Sequence, residues 1–254
     1  MIKKILLGVG ILVLLLLGTA FFSVQYNQRL KPPELITNFV DLDQVQAISP
    51  YRSCSGHTVV PQDGREMKRN MKHYMTVLPE YNKEETVEIY APYDGTVALM
   101  RGEDVAHKFE GELWIAQDRG IFSLLPPLGL WMVNFEHVRP RADLRYGSTV
   151  KAGELVAYAS FWAYKTGTFD ALYATMGIPP RRVDNWASPF ADLDSVFNHM
   201  DETVLAEYER RGITRENIII SKEARDANPC VYRDGGPYFE GSGGLPNSVT
   251  LQHE

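Results

Sequence analysis

Hydrophobic and polar positions divide the chain into stretches of different period. From Ile5 to Phe22 almost every position is apolar, and no charged residue stands between Lys4 and Arg29. A run of that length without charge predicts a helix that can cross a bilayer. From Val87 onward the period becomes two. Val87–Val97, Glu112–Gln117, Trp131–Val138 and Tyr146–Tyr158 read as strands, two of them broken by Gly-containing tight turns, and a last strand follows around Phe169–Tyr173. Pro126 and Pro127 exclude a central strand between Leu124 and Gly129.

Beyond the strands the spacing turns helical. Leu193, Val196, Phe197 and Met200 would share one helix face, and Asp201 would cap a second helix carrying Val204, Leu205 and Tyr208 that ends at Gly212. The expected result is a helical hairpin, then a strand over Asn217–Ser221. The Gly-rich residues 234–244 suggest a loosely docked tail. Residues 25–50, polar and holding Pro32-Pro33, read as a stalk. The expected organisation is an anchor or signal segment over 1–24, this stalk, an extension over 51–86, a β domain over 87–175, and a helical extension with tail over 176–254.

Composition adds direction. With 254 residues, 44% of them hydrophobic, the chain can bury a sizeable core. Lys3 and Lys4 flank the apolar run and should stay in the cytoplasm, which puts the rest outside it, in the periplasm or at the cell surface. Gly18-Thr19-Ala20 leaves a cleaved signal peptide as the competing expectation. With those two lysines set apart, 24 basic residues face 32 acidic ones, a formal charge of -8. That balance disfavours nucleic acid as a partner. Cys54 and Cys230 are the only cysteines, and outside the cytoplasm two cysteines most simply pair.

Two segments carry a family resemblance. Ala91-Pro92-Tyr93-Asp94-Gly95-Thr96-Val97, followed by Gly147-Ser148-Thr149-Val150-Lys151-Ala152-Gly153-Glu154-Leu155-Val156, resembles the barrel-sandwich hybrid, or duplicated hybrid motif, of biotinyl and lipoyl carrier domains and of lysostaphin-type zinc endopeptidases. The resemblance covers Val87 to Ala174 and implies a mainly β fold. Phe135-Glu136-His137-Val138 resembles the peptidase stretch whose histidine assists the reaction at zinc. His73 stands where the first zinc ligand would fall, but its partner position is Val77 rather than Asp. The last strand reads Phe169-Asp170-Ala171-Leu172 where the family has His-x-His.

A hydrolytic zinc needs three protein ligands and an open position for water. The resemblance therefore implies a peptidase-like module without zinc, cofactor or catalytic residues. His73, His137 and Asp170 are its remnant-site candidates, and a His137–Asp170 hydrogen bond is expected. By period two His137 shares the inward face of Trp131, Val133 and Phe135. The alternative is a zinc-dependent cell-wall hydrolase with ligands drawn from His57, His73, His107, His137, Asp104 and Asp170. Lys72, after Met71, resembles the modified lysine of biotin carriers but precedes both halves of the motif. The expected partner is an unknown protein or envelope component, together with the membrane through the N-terminal helix.

Overall fold

The computed structural model of the protein describes residues 2–105, 108–161 and 167–253. The apolar run forms α1 (Ile2–Asn27), long and apolar enough to cross a membrane. The remainder is mainly β. Its strands are β1 (Val45–Ile48), β2 (His73–Val77), β3 (Glu88–Tyr90), β4 (Gly95–Val105), β5 (Lys108–Gln117), β6 (Trp131–Pro140), β7 (Thr149–Val150), β8 (Leu155–Ala159), β9 (Thr168–Val183), β10 (Trp186–Asp194), β11 (Val231–Tyr232), β12 (Phe239–Glu240) and β13 (Val249–Thr250). Three short helices follow β10, namely α2 (Glu202–Arg210), α3 (Arg215–Ile218) and α4 (Lys222–Ala227).

All strands except β11 and β12 join one antiparallel sheet with the path β13-β1-β2-β9-β6-β5-β4-β7. β10 extends the second half of β9, and β8 bridges β3 and β6. The two segments singled out in the sequence meet directly. β3 pairs with β8 and β4 with β7, and the Asp94 carboxylate accepts from the backbone N–H of Ala152 and from Lys151 Nζ, both at 2.9 Å.

Alternation sorts the strands onto two faces. Met75, Val77, Leu113, Ile115, Val133, Phe135, Phe169, Ala171 and Tyr173 enter the main core. Trp114, Met132, Leu172, Ala174 and Phe190 form a second apolar layer on the other face. That second face also carries the charged groups described below.

Several expectations are corrected. Residues 25–50 do not stand off as a stalk. α1 runs through Gln25–Asn27, and Leu35, Phe39, Val40, Leu42, Val45 and Ile48 are buried in the main core, β1 pairing with β2. Their apolar side chains are irregularly spaced because the segment crosses the body as loop, a 3₁₀ turn and a short strand. The helical hairpin keeps only its second arm. Leu193 belongs to β10 and Val196–Asn198 make a single 3₁₀ turn, while α2 forms with Asp201 as N-cap, its carboxylate accepting from Val204 N–H at 2.8 Å. Asn217 and Ile218 close α3 instead of starting a strand. The Gly-rich tail is docked: β11 and β12 form a hairpin, β13 pairs with β1, and Leu251 is buried.

Cys54 and Cys230 are joined, with Cα atoms 5.4 Å apart at a sequence separation of 176. Closing so long a loop stabilises the fold by about 5 kcal/mol in the chain-entropy account. The bond pins the start of the tail to the extension before the β body. The buried Arg225 adds to that junction through hydrogen bonds to the carbonyls of Arg52 (2.7 Å) and Asn228 (2.9 Å).

Candidate functional site

A cleft of about 1220 Å³ opens on the charged face of the sheet. β2, β5 and β6 supply its floor through Tyr74, Thr76, Glu112, Trp114, Glu136 and His137. The β9–β10 arm adds Trp186, Ala187 and Phe190, and the disulfide-linked segments add Ser55, Gly56, His57 and Tyr238.

Register builds the floor. Tyr74 pairs with Asp170, Asp170 with Glu136, and Glu136 with Glu112, so one line across β2, β9, β6 and β5 carries three carboxylates. Like charges on adjacent strands repel, and burial adds a desolvation cost. Lys72, just before β2, resolves this for two of them. Its side chain is 2% exposed, and its ammonium lies 2.9 Å from Asp170 Oδ2 and in contact with Glu136. Glu112 is met separately, by Arg101 at 2.9 Å and by the Trp114 indole N–H at 2.9 Å.

These contacts fix the charge states. Burial favours the neutral amine of Lys72, but Asp170 and Glu136 outweigh it and hold the ammonium well above the usual lysine range. Glu136 is opposed by burial as well, yet the charge and hydrogen bond of Lys72 pull its carboxyl below the usual range. Asp170 is fully buried, and desolvation pushes its carboxyl up in spite of Lys72 and His137. The floor holds an ammonium that stays charged.

His137 reaches this cluster by a change of backbone. The β5–β6 register shifts so that Gly111 faces Val138 while Glu112 faces Glu136, and His137 is the extra residue, with φ 58°. A bulge with one residue in the left-handed region re-aims its side chain. His137 is therefore corrected from the inward face to the cleft, where its Nε2 lies 3.6 Å from Asp170 Oδ1. The expected contact exists as a close polar approach, longer than a good hydrogen bond.

His73 is not brought to this cluster. It points to the opposite face, fully buried, with Nδ1 2.9 Å from the Ser49 carbonyl and Nε2 2.8 Å from Ser195 Oγ. A carbonyl only accepts, so Nδ1 carries the proton; Ser195 Oγ accepts from Phe197 N–H and can donate to Nε2. Burial lowers the His73 pKa to about 4, so the ring is neutral. Both nitrogens are engaged and neither faces the cleft.

Of the other displaced-ligand candidates, His57 lines the cleft rim. Its ring packs 4.2 Å from that of Trp186 and its Nδ1 is 3.0 Å from the Thr58 carbonyl. Burial first, and then the Lys72 charge, lower its pKa to about 4. His107 and the Asp104 side chain lie outside the described residues. Among the described residues, no three His, Cys, Asp or Glu side chains form a metal-holding group. Cys54 is oxidised, so the run Ser53-Cys54-Ser55-Gly56-His57 beside the cleft offers no thiolate.

The sequence pointed to His137 and Asp170, singled out Lys72 only for its likeness to a carrier lysine, and missed Glu136, Glu112, Trp114 and Trp186. The alternation of Lys72, Tyr74 and Thr76 could have placed that lysine on one face of a strand. Only the register across four strands brings it to Asp170.

No protein-family profile and no curated protein matches this sequence. Among solved structures, that of Helicobacter pylori Csd3 from an orthorhombic crystal is similar over 70% of this chain, at 16% identity and a TM-score of 0.33. The matched region spans 41% of that chain.

Proposed function

We infer that the protein is a membrane-anchored, extracytoplasmic binding module with a peptidase-like β body related to the barrel-sandwich hybrid, and that its cleft receives a protein or envelope component without hydrolysing it. One observation carries this reading: the Lys72 ammonium lies between Glu136 and Asp170. A cation already fills the position where two carboxylates and His137 converge, and a zinc ion there would have to displace a buried, paired lysine. Zinc held by fewer than three protein groups competes poorly with solvent, and without it nothing lowers the pKa of an attacking water.

The pairing of β3 with β8 and of β4 with β7 supports the hybrid-barrel reading. The disulfide supports an oxidising compartment. α1 and the flanking lysines support a single-pass anchor with the body outside. The walls suit a partner rather than an ion, since Trp186, Phe190, Tyr238 and Tyr74 give large aromatic faces beside a few polar groups.

The test uses full-length protein in detergent. A photo-crosslinking residue replacing the exposed Ala187 at the cleft should capture a partner in cell envelopes, while the same residue at Lys83, outside the cleft, should not. Elemental analysis after dialysis should find far less than one zinc per chain. Stoichiometric zinc, with peptidoglycan cleavage abolished by Asp170→Ala, would instead establish the hydrolase.

A further inference from the structure

The end of α1 does not hang free of the body. Ser23 Oγ donates to the Pro126 carbonyl at 2.7 Å, and Asn27 Nδ2 donates to the Leu128 carbonyl at 2.9 Å. Arg119 Nη1 donates to Asn27 Oδ1 at 2.7 Å. The Phe122 ring packs 5.1 Å from Tyr26 and 6.4 Å from Phe22. The loop between β5 and β6 is thereby clamped beside the last two turns of the helix.

That loop is unusually apolar for an exposed connection. No charged residue occurs between Gly120 and Phe135, Ile121 is 81% exposed, and Pro126 is exposed as well. Phe21 and Phe22 on the adjoining helix are 68% and 51% exposed. Such a patch needs a cover.

Helix length says what covers it. At 1.5 Å per residue, the roughly 30 Å hydrocarbon layer takes about 20 residues, so a span starting at Ile5 leaves the layer near Val24. Phe22 and Tyr26 bracket that boundary, and Phe122 packs on both. Tyr26 and Tyr146 (54% exposed) both lie within electrostatic reach of the buried Arg119, and aromatic rings near that boundary suit a membrane interface.

We propose that the loop Gly120–Gly129 is a second membrane contact, with Ile121 inserted at the headgroup–acyl boundary of the bilayer that α1 crosses. Together the helix and loop fix the orientation of the β body on the membrane surface, where a single helix would leave it free to swing. The proposal rests on the anchor reading of α1.

The test reconstitutes the full chain in phosphatidylcholine vesicles. The native cysteines are joined, so a single introduced thiol can carry an environment-sensitive nitrobenzoxadiazole probe in Leu14→Cys, Ile121→Cys or Lys83→Cys. With lipids brominated near the top of the acyl chains for the Ile121 probe, and near the chain ends for the Leu14 probe at the midplane of the span, each should lose about twofold in emission, and the Lys83 probe should be unchanged with either lipid. Quenching at Leu14 without quenching at Ile121 overturns the loop contact and leaves the anchor standing. A blue-shifted but unquenched Ile121 probe also overturns it and points to a second copy as the cover. Absence of quenching at Leu14 overturns the anchor and the loop contact together.

Discussion

The Lys72 ammonium lies 2.9 Å from Asp170 Oδ2, two buried groups separated by 98 residues of sequence. With Glu136 they make one unit of two carboxyl groups sharing one ammonium on the cleft floor. Desolvation offsets much of the Coulomb attraction in such a unit, so its existence says little about net stability, but removing one member leaves charge buried without compensation.

Lys72→Met should therefore destabilise the protein by about 3–5 kcal/mol, and Asp170→Asn by less, since Glu136 still pairs with the lysine. The double variant Lys72→Met/Asp170→Asn should be more stable than the sum of the single losses indicates, because Asp170→Asn removes one orphaned carboxylate. Urea midpoints of the four proteins check this; additive losses would mean the two groups do not interact.

His73 gives stability a pH dependence with a defined sign. Its folded pKa is lowered to about 4, against about 6.5 in the unfolded chain, so between those values the unfolded state binds the extra proton. Stability from this group is complete above pH 6.5 and is lost as pH falls through about 4, with a ceiling of about 3 kcal/mol. Carboxylates titrate in the same range, so the measurement is a comparison. His73→Gln, which keeps a donor for the Ser49 carbonyl, should be less stable at pH 7 but should lose less between pH 7 and pH 4.5 than the wild type. Parallel pH curves would show that His73 has the same pKa in the folded as in the unfolded chain.

What could be read along the chain was whatever depends on near neighbours. α1 follows from composition, β5 and β6 from alternation, and the Asp201 cap with the Gly212 stop from local chemistry. The Asp94–Ala152 contact was implicit in the two turn sequences, which differ in position but carry matching Gly-containing corners. The packed segment from Leu35 to Ile48 was hidden because irregular backbone buries residues without a period. Lys72 was hidden for another reason. A lysine is usually solvated, and nothing near it in sequence announces that Asp170 and Glu136 will lie opposite.

Period-two reasoning placed His137 with Phe135 in the core, and one inserted residue defeated it. In the β5–β6 ladder His137 is the extra residue at the register shift, and its φ of 58° turns the side chain to the cleft beside Asp170. The left-handed region is costly for most residues, tolerable for Asn and His, and worst for β-branched ones. His137→Asn should keep the bulge and fold with little change in stability. His137→Val should cost about 1–3 kcal/mol, either by strain in place or by forcing the register to slip, which would move Glu136 off the cleft face. Denaturation midpoints give the first comparison, and accessibility of a thiol in Ala187→Cys, across the cleft, reports whether the floor has rearranged. Equal stability of the Asn and Val variants would mean that residue 137 does not hold the left-handed conformation, and that the histidine reaches Asp170 from an ordinary strand.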